Sequence, residues 1–276
     1  MLAEAVTQCR RYGARGLAEE ASRALSSLSR SAAPALSVRT LGGLRLIRRG
    51  EEMPHREWRS RKARDLLKSL VARRGEPLAR DTVISVLWPE ETAASAGAKL
   101  SVTLSTLRAI LDPAKEHPAD HYVVSADGAV WLRTDNLDID VETFLREAER
   151  ALARRAAGGD ATELLAAAEA RYTGDFCPED LNLAQLAGLR EGARATYLTV
   201  LRSLAEAYAE QGDDEATIRC LLRLLTYDPY DEPAHLALVR ALDRAGRYGE
   251  ARRMYRGYAA RMAELDIEPA AYPSAR

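Results

Sequence analysis

Residues 93–133 read AASAGAKLSVTLSTLRAILDPAKEHPADHYVVSADGAVWLR, and this stretch decides the fold. Within residues 93–111, Leu100, Leu104, Leu107 and Leu111 recur at helical spacing and form one apolar stripe, and Asp112-Pro113 ends the helix. Downstream, Tyr122–Ala126 and Ala129–Arg133 flank Asp127-Gly128, a dipeptide suited to a type I′ hairpin turn because both central residues need positive φ. Pairing across that turn places Val123, Val130 and Leu132 on one face and Tyr122, Val124 and Trp131 on the other.

Working outward toward the N-terminus, Asp81–Trp88 forms a shorter helix stopped by Pro89. Before it, Ser60–Arg74 carries Ala63, Leu66, Leu67, Leu70 and Val71 at helical spacing and is followed by Gly75. Earlier still, the texture changes to period-2 alternation in residues 37–41 and 44–48, around Gly42-Gly43, which predicts two short half-buried strands. A third short extended segment is expected near Glu52-Met53-Pro54. Strands, three helices and a closing hairpin in this order describe a winged helix. Residues 2–28 read as two short helices broken near Tyr12-Gly13, followed by a Ser/Ala/Pro linker.

Toward the C-terminus the pattern is helical throughout. Helices are expected at about residues 141–157, 161–171, 183–210 (with a possible break), 214–227, 232–245 and 248–265. Leu204, Ala207 and Gly212 return as Leu238, Ala241 and Gly246, each shifted by 34 residues. That period, with small residues where paired helices meet and Gly where the first helix ends, is the tetratricopeptide signature. The expected fold class is mostly α: a winged-helix domain with a small β-sheet and C-terminal hairpin, followed by an all-α tetratricopeptide-like domain. The expected divisions are an N-terminal extension over 1–36, the winged helix over 37–135 and the helical domain over 136–276.

Bulk properties narrow the functional classes. With 276 residues, 47% hydrophobic and 29% charged, the chain has an ordinary globular composition. It has no run of apolar residues long enough to cross a bilayer. Cys9, Cys177 and Cys220 are scattered and odd in number, so no disulfide framework is expected and a cytoplasmic location fits. The net charge of −1 conceals an asymmetry. Residues 37–133 hold 17 Lys/Arg against 12 Asp/Glu, whereas residues 134–276 hold 18 against 26. A basic module joined to an acidic one suits a polyanion reader attached to a partner-binding domain. No phosphate loop, nucleophile elbow or HExxH occurs, so neither an enzyme nor a cofactor is expected. His117 and His121 have i,i+4 spacing, but Pro118 lies between them and no third ligand is near, so no metal is expected. His55 and His235 are isolated; Asp138 and Asp140 precede a helix and read as caps.

The helix over residues 93–111 is the expected DNA reader. Its side opposite the leucines presents Ala98, Lys99, Val102, Ser105, Thr106 and Ala109, with Thr103 and Arg108 on the flanks. Small and hydroxyl-bearing side chains let a helix approach base edges, and Val can contact a thymine methyl. Arg59, Arg61, Lys62, Arg64 and Arg80 are placed to clamp phosphates, and Arg133 to reach the backbone from the wing.

Several stretches together resemble the antibiotic regulatory protein (SARP) group of bacterial transcription regulators. These are Val38–Gly43, Ser60–Leu67, Leu87-Trp88-Pro89, LSVTLSTLR (100–108), Asp138-Ile139-Asp140 before Phe144, Tyr172–Phe176 and DPYDEPAHLALVRAL (228–242), spread over residues 37–270. The resemblance implies an OmpR-type winged helix followed by a bacterial transcriptional activator domain. It further implies binding to direct repeats in double-stranded promoter DNA, a homodimer on that DNA, and contact with RNA polymerase. Members of the group usually place Arg where this chain has Thr106, and often a basic residue where it has Ala109. Residues 1–36 resemble the closing helices of a repeat array, so the chain is expected to be a fragment of, or a relative of, a larger regulator.

Overall fold

The computed structural model describes residues 36–273 except Arg59 and Thr92. The helices expected within residues 2–28, Cys9 and Arg59 lie outside the described residues.

Strands β1 (Leu36–Arg39), β2 (Arg45–Arg48) and β3 (Glu51–Glu52) form an antiparallel meander. Leu36, Val38 and Leu46 are buried while their strand neighbours Ser37, Arg39, Arg45 and Ile47 are half-buried or exposed, as period-2 alternation requires. The third strand ends just short of Met53, whose N–H donates to the Leu46 carbonyl and prolongs the pairing.

Helix α1 (Arg61–Ala72) starts on Ser60, whose Oγ accepts from the Ala63 N–H. Strand β4 (Leu78–Ala79), helix α2 (Arg80–Leu87) and helix α3 (Ala93–Leu111) follow. The hairpin is β5 (Val123–Ala126) and β6 (Ala129–Leu132), in register Val124 opposite Trp131. Asp127 and Gly128 have φ of 51° and 73°, the pair of positive values that a type I′ turn needs. The wing is anchored on its inner edge because β4 pairs with β6 in a three-stranded sheet. Tyr122 and Val124 are also buried, so both faces of the first hairpin strand meet the protein rather than one.

The helical region runs α4 (Asp140–Ala156), α5 (Thr162–Arg171), α6 (Ala187–Glu210), α7 (Asp214–Tyr227), α8 (Glu232–Arg244) and α9 (Tyr248–Glu264). Each helix packs on the next. A 3₁₀ turn over Ala184–Leu186 provides the break before α6. The 34-residue repeat is geometric as well as textual. Leu204 and Leu238 are buried alike, as are Ala207 and Ala241. Gly212 and Gly246 both turn left-handed, at φ 75° and 73°. The N–H of Asp213 donates to Tyr208 O and that of Arg247 to Leu242 O, the same bond one repeat on. Between α4, α6 and α7, Phe144, Tyr172, Tyr197 and Tyr227 form an aromatic cluster, with Tyr172 and Tyr197 stacked at 4.1 Å.

The two regions interlock. Strand β7 (Asp138–Ile139) pairs in parallel with β1, giving the sheet order β3-β2-β1-β7. Asp138 and Asp140 were expected as helix caps, and the structure corrects this. The Asp140 carboxylate accepts from Thr40 N (2.8 and 2.9 Å), Thr40 Oγ1 (2.7 Å) and Leu41 N (3.0 Å), while also receiving Val141 N. Asp138 accepts from Ser37 Oγ (3.0 Å) and Arg39 Nη2 (2.7 Å). Their partners lie about a hundred residues upstream, so no local pattern announced them. Cys177 N donates to Thr40 O and Gly42 N to Asp175 O, adding backbone stitches. Lys68 of α1, fully buried, holds Glu179 at 2.7 Å and also pairs with Asp180. Buried apolar side chains from Leu36 to Ala251 form one contiguous core.

Candidate DNA-reading surface

Helix α3 owes its place to the leucine stripe. Leu100, Leu104, Leu107 and Leu111 are buried against α1 and α2, which turns Ala98, Ser101, Val102, Ser105 and Ala109 outward. Val102 is 67% exposed, an apolar side chain standing in water on an otherwise small and polar face. Thr103 is only 6% exposed and sits with the leucines, because it lies three residues after Leu100 and four before Leu107. Thr106 is half-buried. The hydroxyls of Ser101, Thr103 and Thr106 donate to carbonyls one turn back, at Gly97, Lys99 and Val102.

The cations singled out by the sequence fall into groups. Arg61 is exposed at the start of α1, whereas Arg64 is half-buried. Lys62 donates to Leu87 O and lies 6.0 Å from the Trp88 ring, tying α1 to the end of α2. Lys99 pairs with Glu91, whose carboxyl is held below the usual range by that hydrogen bond. Arg108 folds back to donate through Nε (3.2 Å) and Nη2 (3.0 Å) to Val123 O on the wing strand. Arg133 donates to Asp120 O and its carboxylate, at 3.1 and 3.2 Å. Arg80 reaches Ser125 Oγ on the wing at 3.0 Å and Ser101 Oγ on α3 at 3.4 Å. Nothing in the sequence singles out Ser101 and Ser125. They are 24 residues apart on different elements, and only the fold brings both to one guanidinium.

Arg80 therefore sits in the angle between a helix that exposes small side chains and a β-hairpin beside it. Among the described residues, no group of three His, Cys, Asp or Glu side chains is arranged to hold a metal, and no helix is long and apolar enough to cross a membrane. Cys177 and Cys220 are buried and unpaired, and burial pushes both thiols up, that of Cys220 to about 11.

A winged helix with a tetratricopeptide-like domain behind it is the class these elements define. Residues 139–272 match the family model of the bacterial transcriptional activator domain. The chain also matches a solved structure of Mycobacterium tuberculosis EmbR in complex with a low affinity phosphopeptide, at 25% identity and a TM-score of 0.72. That match covers 86% of this chain and 62% of the EmbR chain, so the present chain spans under two thirds of its relative. Both findings support the SARP-type resemblance read from the sequence and the fold class that came with it. No curated protein sequence matches the chain.

Proposed function

We propose that this chain regulates transcription by binding double-stranded promoter DNA, with α3 in the major groove and the β5–β6 hairpin along the backbone. The observation that carries this reading is the outward row of Ser101, Val102, Ser105 and Ala109 on a helix whose opposite side is buried, framed by Arg80 and the wing. In this reading Val102 meets a thymine methyl, Ser105 offers its exposed hydroxyl to a base edge, and Thr106 turns its hydroxyl there from the Val102 carbonyl. Arg61 and Arg80 neutralise phosphates, and Lys62, Lys99, Arg108 and Arg133 join them where a phosphate outcompetes their internal acceptors. Arg59 belongs to the same basic run by sequence. Arg64 and Thr103 support the helices from inside rather than touching DNA. The proposal extends to activation through RNA polymerase, a homodimer on direct repeats and a cytoplasmic setting, which the resemblance to SARP-type regulators implies; the activator-domain match supports the transcriptional role.

The test is the salt dependence of binding to duplex DNA. The reading requires log affinity to fall linearly with log salt, and a slope near zero, or no binding at low salt, would overturn it. Lys99→Ala should reduce the slope by about one.

A second reading has its own observation. Lys62, Lys99, Arg108 and Arg133 all carry intramolecular partners, while a cavity of about 230 Å³ opens between α6, α7 and α8. Ala205, Leu221, Pro233, Ala237 and Arg240 are among the residues that line it. A helical scaffold whose winged helix has given up DNA would show this combination, and absence of DNA binding alongside a captured polypeptide would select it.

A further inference from the structure

Helix α3 and the wing are joined by residues 112–122, and this connection contains a feature that DNA reading leaves unexplained. The imidazoles of His117 and His121 stack face to face, centroids 3.9 Å apart and planes 12° from parallel. Tyr122 closes the stack edge-on to both rings, at 5.8 and 4.6 Å. The loop is bound at several points. The Asp112 carboxylate accepts from Glu116 N (3.0 Å) and His117 N (2.9 Å), and His121 O accepts from Asn136 Nδ2 at 2.7 Å. Beside the stack, an open cavity of about 430 Å³ is walled by Ser105, Arg108 and Ala109 of α3 and by Lys115, His117 and Tyr122 of the loop. Arg133 holds Asp120 of this connection, and Arg108 holds Val123 O immediately after it.

Resting on the DNA-reading proposal, we propose that the His117–His121 stack is a proton-operated latch. It is closed while at most one ring is charged, and it opens when the second ring takes a proton from solvent. The physical reason is direct. Two imidazolium rings at van der Waals contact repel strongly, whereas one neutral ring stacks well against either form. The surrounding charges set the threshold. Asp112 and Asp120 favour protonation, while Arg133 and the partner imidazole oppose it at His121. Tyr122 faces Asp112, Glu116 and Arg48, and Glu116 is itself paired with Arg49. Burial first and His117 second hold the His121 pKa below its ordinary value. The closed latch is therefore complete above about pH 6.5 and is lost as pH falls through the lowered value. Opening frees Asp120 from Arg133 and loosens the register of α3 against the hairpin, so binding weakens on acidification. A simple gain of positive charge next to phosphates would strengthen it instead.

The experiment has two arms on the whole chain. In the first, imidazole NMR resonances are followed from pH 8 to 5. The latch requires the His121 titration to respond to the charge on the His117 ring, moving to higher pH in His117→Gln while burial still keeps it below the ordinary value. Two independent ordinary titrations in the wild type would overturn it. In the second arm, affinity for a random-sequence duplex is measured at pH 7.5 and 5.5 at constant ionic strength, with circular dichroism confirming the fold. Wild type should lose affinity several-fold on acidification, and both His117→Gln and His121→Gln should hold or gain it. An affinity that rises equally in all three proteins overturns the latch. Absence of DNA binding at either pH would overturn the DNA-reading proposal alone, since the titration arm still decides the latch.

Discussion

The junction between the two regions and the face of α3 use the same kinds of side chain in opposite ways. At the junction, Asp140 is 8% exposed and receives donors from Thr40 and Leu41, and Lys68 is fully enclosed with its two carboxylates. At the reading face, Lys99 of α3 leans on Glu91 alone, and Arg80 at the start of α2 on the neutral hydroxyls of Ser101 and Ser125. A buried charge whose partner is removed retains its full desolvation cost, whereas an exposed one is simply rehydrated. The junction is thus built to be kept, and the reading face to exchange partners.

Breaking the junction should give the largest effect. Asp140→Ala strands Thr40 N and Leu41 N without an acceptor, and should lower unfolding free energy by about 3–5 kcal/mol in urea titrations. An effect within about 0.5 kcal/mol of wild type would show that these bonds do not hold the two regions together. Lys68→Ala leaves Asp180 and Glu179 facing each other without their cation, and should cost about 3 kcal/mol by the same measurement.

Acid offers a milder probe. Burial works to raise the Asp175 and Glu179 carboxyls, yet hydrogen bonds from Arg194 and Tyr172 to the former, and from Lys68 to the latter, hold both below the ordinary range. A depressed carboxyl stabilises the fold above its unfolded pKa and ceases to do so as pH falls through the folded value. Burial likewise pulls Lys68 down, but its bonds to Asp180 and Glu179 prevail and raise it, so its contribution fades only in alkali. Thermal stability should therefore fall below about pH 4.5 and again well above pH 10. Lys68→Ala should flatten the acid limb.

The reading face should respond in affinity and hardly at all in stability. Thr106→Arg restores the basic residue that SARP-type helices usually carry there, and should tighten DNA binding by about 1–2 kcal/mol in fluorescence anisotropy. Lys99→Ala should change stability by less than about 0.5 kcal/mol.

Much of the architecture was legible in the residues. Leu100, Leu104, Leu107 and Leu111 located α3 to the residue, and Asp127-Gly128 located the hairpin, because each is a local pattern with a single cheap geometry. The 34-residue return of Leu, Ala and Gly foretold matching burial and matching left-handed turns. The two-residue strands β4 and β7 left no trace, since two residues carry no period. Thr103 was read on the flank of α3 although its spacing from Leu100 and Leu107 sets it among the buried leucines. Charge marks the cations in the sequence, and charge does not say that Arg108 folds onto Val123 or that Lys62 caps α2.

By itself, then, the sequence determined the order of elements, the identity of the exposed and buried stripes, and the family they resemble, because these follow from periodicity and turn chemistry within a few residues. Tertiary structure alone decided that Asp140 grips β1, that Lys68 is enclosed, that Arg80 spans helix and wing, and that His117 meets His121 ring to ring. Each of those contacts depends on where a separate segment, or a turn with no regular period, comes to rest.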